Sequence, residues 1–203
     1  MIGDENWSAI SSDGSGGDGD THRNMIKQTQ PATPDFSGLL TKDCSVDRNS
    51  TDRRWFFEDF SPGDVYQTRS RTVTETDLVT FVGFAGFFEE IFITLRGGTK
   101  TDGALSPEGR MLPGVMIIAL AEGLYVLSDR MQNGVALLEM DAVRFSKPVI
   151  CGDTIHAVVA VTEVYPTRSG KRGLVVLDQH VETDRQGKVL QYRTKRVIAR
   201  RPA

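Results

Sequence analysis

Sulfur and imidazole are scarce in this chain: its 203 residues include two cysteines and three histidines. Cys44 and Cys151 lie far apart. They have neither the close Cys/His spacing of a zinc site nor the crowding of a disulfide framework, so no metal is expected and a reducing, cytoplasmic setting is. No apolar run approaches the roughly 20 residues that span a bilayer, and the first residues lack the charged-then-apolar order of a signal peptide. An excess of one charge is missing as well, since 24 Lys and Arg stand against 27 Asp and Glu, a net charge of −3. Neither nucleic acid nor an anionic membrane is expected as a partner. Arg96-Gly97-Gly98-Thr99-Lys100-Thr101-Asp102-Gly103 lacks the Gly-Lys-Ser/Thr ending of a phosphate-binding loop and reads as a polar, flexible connection. No cofactor is implied.

Apolar residues make up 39% of the chain, and the shortage is concentrated at the N-terminus. Residues 1–52 include the low-complexity run Ser11-Ser12-Asp13-Gly14-Ser15-Gly16-Gly17-Asp18-Gly19-Asp20, then scattered Pro31, Pro34, Ser37 and Gly38. Too few apolar groups are present to offset the entropy of ordering, so this segment is expected to be disordered or loosely draped. Phe36, Leu39 and Leu40 are its candidates for docking onto the folded domain, residues 53–203.

What the chain does have is one very apolar stretch, Pro113-Gly114-Val115-Met116-Ile117-Ile118-Ala119-Leu120-Ala121-Glu122-Gly123-Leu124, around which the rest is arranged. Apolar side chains cover almost its whole circumference, which predicts a buried central helix. Gly114 falls in the first turn, where free N–H groups and the positive end of the helix dipole face outward. Two readings stand: Pro113-Gly114 makes only the turn into a core helix, or the exposed N–H groups hold a carbonyl oxygen.

Upstream, Phe57-Glu58-Asp59-Phe60 and the turn Ser61-Pro62-Gly63-Asp64 open the domain. Residues 65–73 alternate as one strand, polar in places on both faces, which predicts a sheet edge. Thr74-Glu75-Thr76-Asp77 is a capping box, followed by Leu78, Phe81, Val82 and Ala85 at helical spacing. Downstream, strands are predicted over 135–145, 153–164, 173–183 and 189–199, with hairpin turns at 166–170 and 184–187. Together these predict an α+β fold, an antiparallel sheet wrapped around a long buried helix.

Glu89 and Glu90 are adjacent carboxylates in the aromatic and aliphatic stretch Gly86-Phe87-Phe88-Glu89-Glu90-Ile91-Phe92-Ile93. Apolar surroundings would raise a carboxyl pKa and suit it to general acid or base work; a solvated helix flank would not. Among the histidines, His22 lies in the N-terminal segment, and His156 and His180 lie mid-strand, where structural or solvated roles are expected.

Phe57-Glu58-Asp59-Phe60 with Pro62-Gly63-Asp64, then 72–77, then Gly109-Arg110 through Gly114, and Val143-Arg144-Phe145-Ser146-Lys147-Pro148-Val149 with Gly152-Asp153-Thr154, resemble the MaoC-like acyl dehydratases, which include the (R)-specific enoyl-CoA hydratases. The resemblance runs from about Trp55 to Ala199. It implies a hot-dog fold, a homodimer, and an acyl thioester of coenzyme A or acyl carrier protein as partner, with the Gly114 N–H offered to the thioester carbonyl. It also implies that Phe87 and Phe92 stand where the family places an Asp after a Gly and a His five residues beyond. Phenyl rings cannot transfer protons but can fill a site or pack on an acyl chain.

A further likeness, to hot-dog thioesterases, puts Glu122 where a water-activating carboxylate stands. The alternative is that Glu122 pairs with an arginine such as Arg144. Three functions follow: an enoyl-thioester hydratase or dehydratase using Glu89 or Glu90 with Gly114; an acyl-thioester-binding or scaffold protein without that chemistry, with Pro113, Gly114, Phe87 and Phe92 at the site; and a thioesterase using Glu122.

Overall fold

The structure is a computed structural model that describes residues 54–94 and 109–202. The expectations for residues 1–52 and for the loop 96–103 lie outside the described residues.

Residues Phe57–Asp59 form a short 3-10 helix, followed by β1 (Val65–Gln67), β2 (Arg71–Thr72), α1 (Glu75–Ala85), α2 (Glu90–Ile93) and α3 (Gly114–Val126). A second 3-10 turn, Asp129–Met131, leads into β3 (Gly134–Phe145), β4 (Thr154–Pro166), β5 (Arg172–Thr183) and β6 (Gly187–Ala199). The sheet is antiparallel, ordered β1-β4-β5-β6-β3, with β2 also pairing β4. The fold class is α+β, as expected.

The capping box at Thr74 is present. Asp77 N–H donates to Thr74 Oγ1 at 3.3 Å and Thr74 N–H to Asp77 Oδ2 at 2.9 Å, so two free amides at the start of α1 are satisfied together. These bonds hold the Asp77 carboxyl below its usual range. Gly86 ends α1 with φ at +78°, a left-handed conformation that favours glycine.

The single strand expected over 65–73 is corrected to two short ones. Thr68 explains the break. Its N–H donates to Ala157 O at 2.9 Å, while its hydroxyl, rather than a backbone carbonyl, accepts from Ala157 N–H at 2.9 Å. With the ladder position taken by a side chain, Arg69 and Ser70 bulge outward before pairing resumes at Arg71 and Ile155.

Helices and strands share a core on the inward face of the sheet. Leu78 and Val82 of α1 and Met116, Ile117 and Ala121 of α3 pack on Ile155, Ala157, Val181 and Leu190. Phe60, Tyr66, Tyr125, Val159 and Leu177 form a second cluster on the same side. The expectation that α3 is buried all round is corrected: Val115 is 49% exposed and Val126 55%, so one flank of the helix is uncovered.

Candidate functional site

Pro113 caps α3 and its carbonyl accepts from Met116 N–H at 2.9 Å and Ile117 N–H at 3.3 Å. The approach to the helix is fixed by the neighbouring turn. Met111 bridges Ile150, Leu112 N–H donates to Val149 O at 2.9 Å, and Cys151 N–H donates to Arg110 O at 3.1 Å. Asp153, 2% exposed, holds that turn by accepting from Ile150 N–H at 3.0 Å and from both arms of Arg185 at 2.6 and 3.1 Å. The Gly152-Asp153 segment therefore positions the start of α3 from across the fold.

Gly114 has a packing reason to be glycine. A Cβ there would lie 2.8 Å from two ring atoms of Phe145, which comes from the end of β3. The ring sits beside the first turn of α3 and is itself half exposed. The turn and carbonyl-holding readings of Gly114 are compatible with this contact.

Phe87 and Phe92 come together, with ring centroids 6.2 Å apart in an edge-to-face arrangement, and Phe81 lies 5.7 Å from Phe87. Both rings pack on the cluster that contains Leu112, Met116 and Ile117. Arg110 fastens this corner: its Nε and Nη2 donate to Phe92 O at 3.0 and 2.8 Å, and its Nη1 donates to Glu75 at 2.8 Å. Arg110 thus ties α2, α1 and the loop before α3 to one guanidinium. Its role was not legible beforehand, because three backbone segments far apart in sequence meet there.

Glu89 and Glu90 are exposed, Glu89 capping α2 and Glu90 in its first turn. Of the two readings offered for these carboxylates, their exposure fits the solvated helix flank. Phe87 and Phe92 turn toward the core, while Phe88, 64% exposed, turns to water with the two carboxylates.

Glu122 lies about 12 Å along the axis from Gly114, at 1.5 Å per residue. Its carboxylate is taken up in a network under α3. Arg196 pairs with Oε2, while Tyr192 O–H at 2.9 Å and Gln179 Nε2 at 3.3 Å donate to Oε1. Gln179 also donates to Thr194 at 2.9 Å. The expected arginine partner, Arg144, is corrected to Arg196; Arg144 is exposed on β3. Burial, and then the Glu122 charge, push the Tyr192 phenol above its usual range. The signal was available: counting by twos from Leu190 places Tyr192, Thr194 and Arg196 inward, under the one carboxylate on an apolar helix.

On the outward face, Nε2 of His156 and of His180 both approach the Glu182 carboxylate, at 3.4 and 3.1 Å. Among the described residues no group of three His, Cys, Asp or Glu side chains is placed to hold a metal ion. No described helix is long and apolar enough to cross a membrane.

No protein-family model matches the chain. Over 106 residues, 51% of the chain, it is 35% identical to the protein MaoC of Klebsiella aerogenes. The match covers 29% of that relative's length. Among solved structures, the monoamine oxidase regulatory protein of Archaeoglobus is 27% identical with a TM-score of 0.63, over 73% of this chain and 97% of that one. The MaoC-like dehydratase of Rhodospirillum rubrum is 21% identical with a TM-score of 0.60, over 73% of this chain and 99% of that one. These likenesses, with a sheet curled around a central helix whose first turn carries Gly114, show a hot-dog fold and a resemblance to MaoC-like proteins.

Proposed function

We propose that this domain binds the acyl group of a coenzyme A or acyl-carrier-protein thioester at the first turn of α3 and does not hydrate or dehydrate it. The observation that carries this reading is the packed pair Phe87 and Phe92. The family resemblance puts a proton-transferring Asp and His at those positions, and the rings there are seated on the core next to α3. Neither carboxylate candidate takes over: Glu89 and Glu90 face water, and Glu122 is bound by Arg196 and Tyr192. In this reading Gly114 N–H donates to the thioester carbonyl oxygen, Pro113 sets the angle of the turn, and Phe87 and Phe92 form an apolar wall for the acyl chain.

The binding unit is a homodimer in this proposal. Val115 and Val126 on α3, with Val135, Leu137, Leu138, Val143 and Phe145 on β3, expose apolar surface along one side of the molecule. A second copy laid against that side would cover it.

The test pairs calorimetric binding of a saturated acyl-CoA with a crotonyl-CoA assay that follows loss of the enoyl-thioester absorbance. Micromolar binding without turnover is expected. The full-length variant Phe87→Asp/Phe92→His should then gain hydration by at least ~100-fold over the wild-type background, the scale of a positioned acid and base. Turnover by the wild type that disappears in Glu89→Gln/Glu90→Gln would replace this reading with a hydratase. Thiol release from saturated acyl-CoA that disappears in Glu122→Gln would replace it with a thioesterase.

A further inference from the structure

The side of α3 that begins at Gly114 ends in charge. Gly114, Ile118 and Glu122 recur at i, i+4 spacing, so they follow one another along one side of the helix, about 12 Å from first to last. That side borders the uncovered flank. Ile118 and Glu122 are partly buried, whereas Val115, Ala119 and Val126, farther round the helix, are exposed. Phe145 of β3 touches the Gly114 end, and Tyr192 and Arg196 of β6 bond to Glu122 at the other. Between α3 on one side and β3 with β6 on the other there runs a seam.

The seam changes character along its length. Phe145 stands opposite Leu190, Met140 opposite Thr194, and Leu137 opposite Arg196. The β3 side is open, with Phe145 and Leu137 about half exposed, while the inward side chains of β6 beneath it are buried. By alternation those inward side chains are Leu190, Tyr192, Thr194 and Arg196. A floor that is apolar near Gly114 has thus become polar where it reaches Glu122.

Arg196 shows what the polar end lacks. Every nitrogen of a guanidinium donates. Its Nε donates to Thr194 Oγ1 at 3.3 Å and its Nη2 pairs with Glu122 Oε2, but among the described residues nothing accepts from Nη1, in a side chain 5% exposed. Nη1 is not sealed off: among the described residues, the buried side-chain polar atom without a partner is Nε of Arg130. Open space therefore adjoins Nη1, beside Glu122. Glu122 Oε2 accepts from Arg196 alone and has room for another donor.

We infer that the seam takes the tail of the acyl group and selects a chain with a hydroxyl near its end, which accepts from Arg196 Nη1 and donates to Glu122 Oε2. The inference rests on Gly114 as the seat of the thioester carbonyl. Phe87 and Phe92 then border the carbonyl end, and the tail follows Ile118 toward Glu122. A second carboxylate fits badly, because it would face the Glu122 charge and compete for its arginine. A methyl end fits badly too, because it displaces water from Arg196 without replacing the bonds that water makes. An extended carbon chain advances about 1.25 Å per bond, so about nine or ten bonds cover the distance. In the proposed homodimer the second copy lies over Val115 and Val126 and roofs the seam.

The experiment compares ω-hydroxydecanoyl-CoA with decanoyl-CoA by calorimetry on the full chain. A wholly apolar channel would bind the hydroxylated chain more weakly, since its hydroxyl must be stripped of water. Here the hydroxyl is expected to tighten binding about tenfold or more, the scale of hydrogen bonds to charged groups. The shorter pair, ω-hydroxyhexanoyl-CoA and hexanoyl-CoA, should show no such preference, because neither tail reaches Glu122. In Glu122→Gln/Arg196→Met the order of the long pair should reverse. Wild-type protein that binds decanoyl-CoA as tightly as its hydroxylated analogue, or more tightly, would overturn the inference and leave acyl binding at Gly114 standing. A hydroxyl preference that survives in the double variant would overturn it as well. Failure to bind any of the four thioesters would remove the acyl-binding reading and this inference together.

Discussion

Glu122 and Arg196 join the central helix to the last strand through a charge pair that little water reaches, their side chains being 18% and 5% exposed. Tyr192 and Gln179 donate to the same carboxylate, and the Arg196 guanidinium lies 5.2 Å over the Tyr125 ring. A buried pair of this kind contributes little relative to apolar packing, yet losing one partner strands the other. Glu122→Ala should therefore cost on the order of 3 kcal/mol, read as a lower urea midpoint with the slope unchanged. Removing both charges as Glu122→Gln/Arg196→Met should cost less than Glu122→Ala alone. A double variant that is the less stable of the two would show that the pair is not the unit that matters.

The contact between Gly114 and Phe145 makes a second expectation. Gly114→Ala should destabilise by about 1–3 kcal/mol, the range for overpacking, because two ring atoms stand 2.8 Å from the new methyl. Adding Phe145→Ala frees that space, and thermal unfolding of the double variant should recover most of the loss seen in Gly114→Ala relative to its own Phe145→Ala background. If acyl-CoA binding stays weak while stability recovers, the glycine serves the ligand as well as the ring.

Acid should find His180 first. Its folded value lies below the ordinary one because burial disfavours the charged ring. The unfolded chain takes up this proton at about pH 6.5, where the folded chain does not. Stability from this residue is thus complete above about pH 6.5 and declines as pH falls below it. The depressed carboxyls, Glu58 held by Arg200 and Asp77 held by Thr74, act in the same direction but in a window below about pH 4. Denaturant midpoints at pH 7 and pH 5.5 should differ in the wild type and differ less in His180→Gln.

Cys151 should be a sluggish thiol. Burial, and then the Glu75 carboxylate, push it up to about 12. At pH 8, iodoacetamide should label Cys151 in the native protein at least about a hundredfold more slowly than in the denatured chain, as followed by mass spectrometry. Comparable rates in both would mean that the contact between Cys151 Sγ and Thr74 O opens readily.

The strands β3 to β6 were legible within a few residues, because alternation and Gly-containing hairpin turns act locally. So was the start of α1, since a capping box needs only Thr74 and Asp77. The break after Gln67 was not, because it depends on which atom Ala157, far away in sequence, uses as its partner. The uncovered flank of α3 was not legible either. Apolar residues all round a helix say that it is to be covered, and leave open whether its own chain does the covering. At the site, Gly114, Phe87 and Phe92 could be named from the family pattern, whereas Arg110 and Phe145 emerge only when distant segments are brought together. Glu89 and Glu90 show a related limit: hydrophobic neighbours in sequence need not be neighbours in space.

The last strand of the sheet in spatial order, β3, loses register with β6 three times, and Ala142 within it takes φ of +50°. Twelve residues with, among the described residues, an unpaired edge and exposed valines and leucines would ordinarily invite any extended peptide to pair. An interrupted edge is a poor template for such strangers, since a straight strand can match it for only a few residues at a time. In the proposed homodimer, the strand able to meet those kinks with kinks of its own is β3 of the second copy, running the other way.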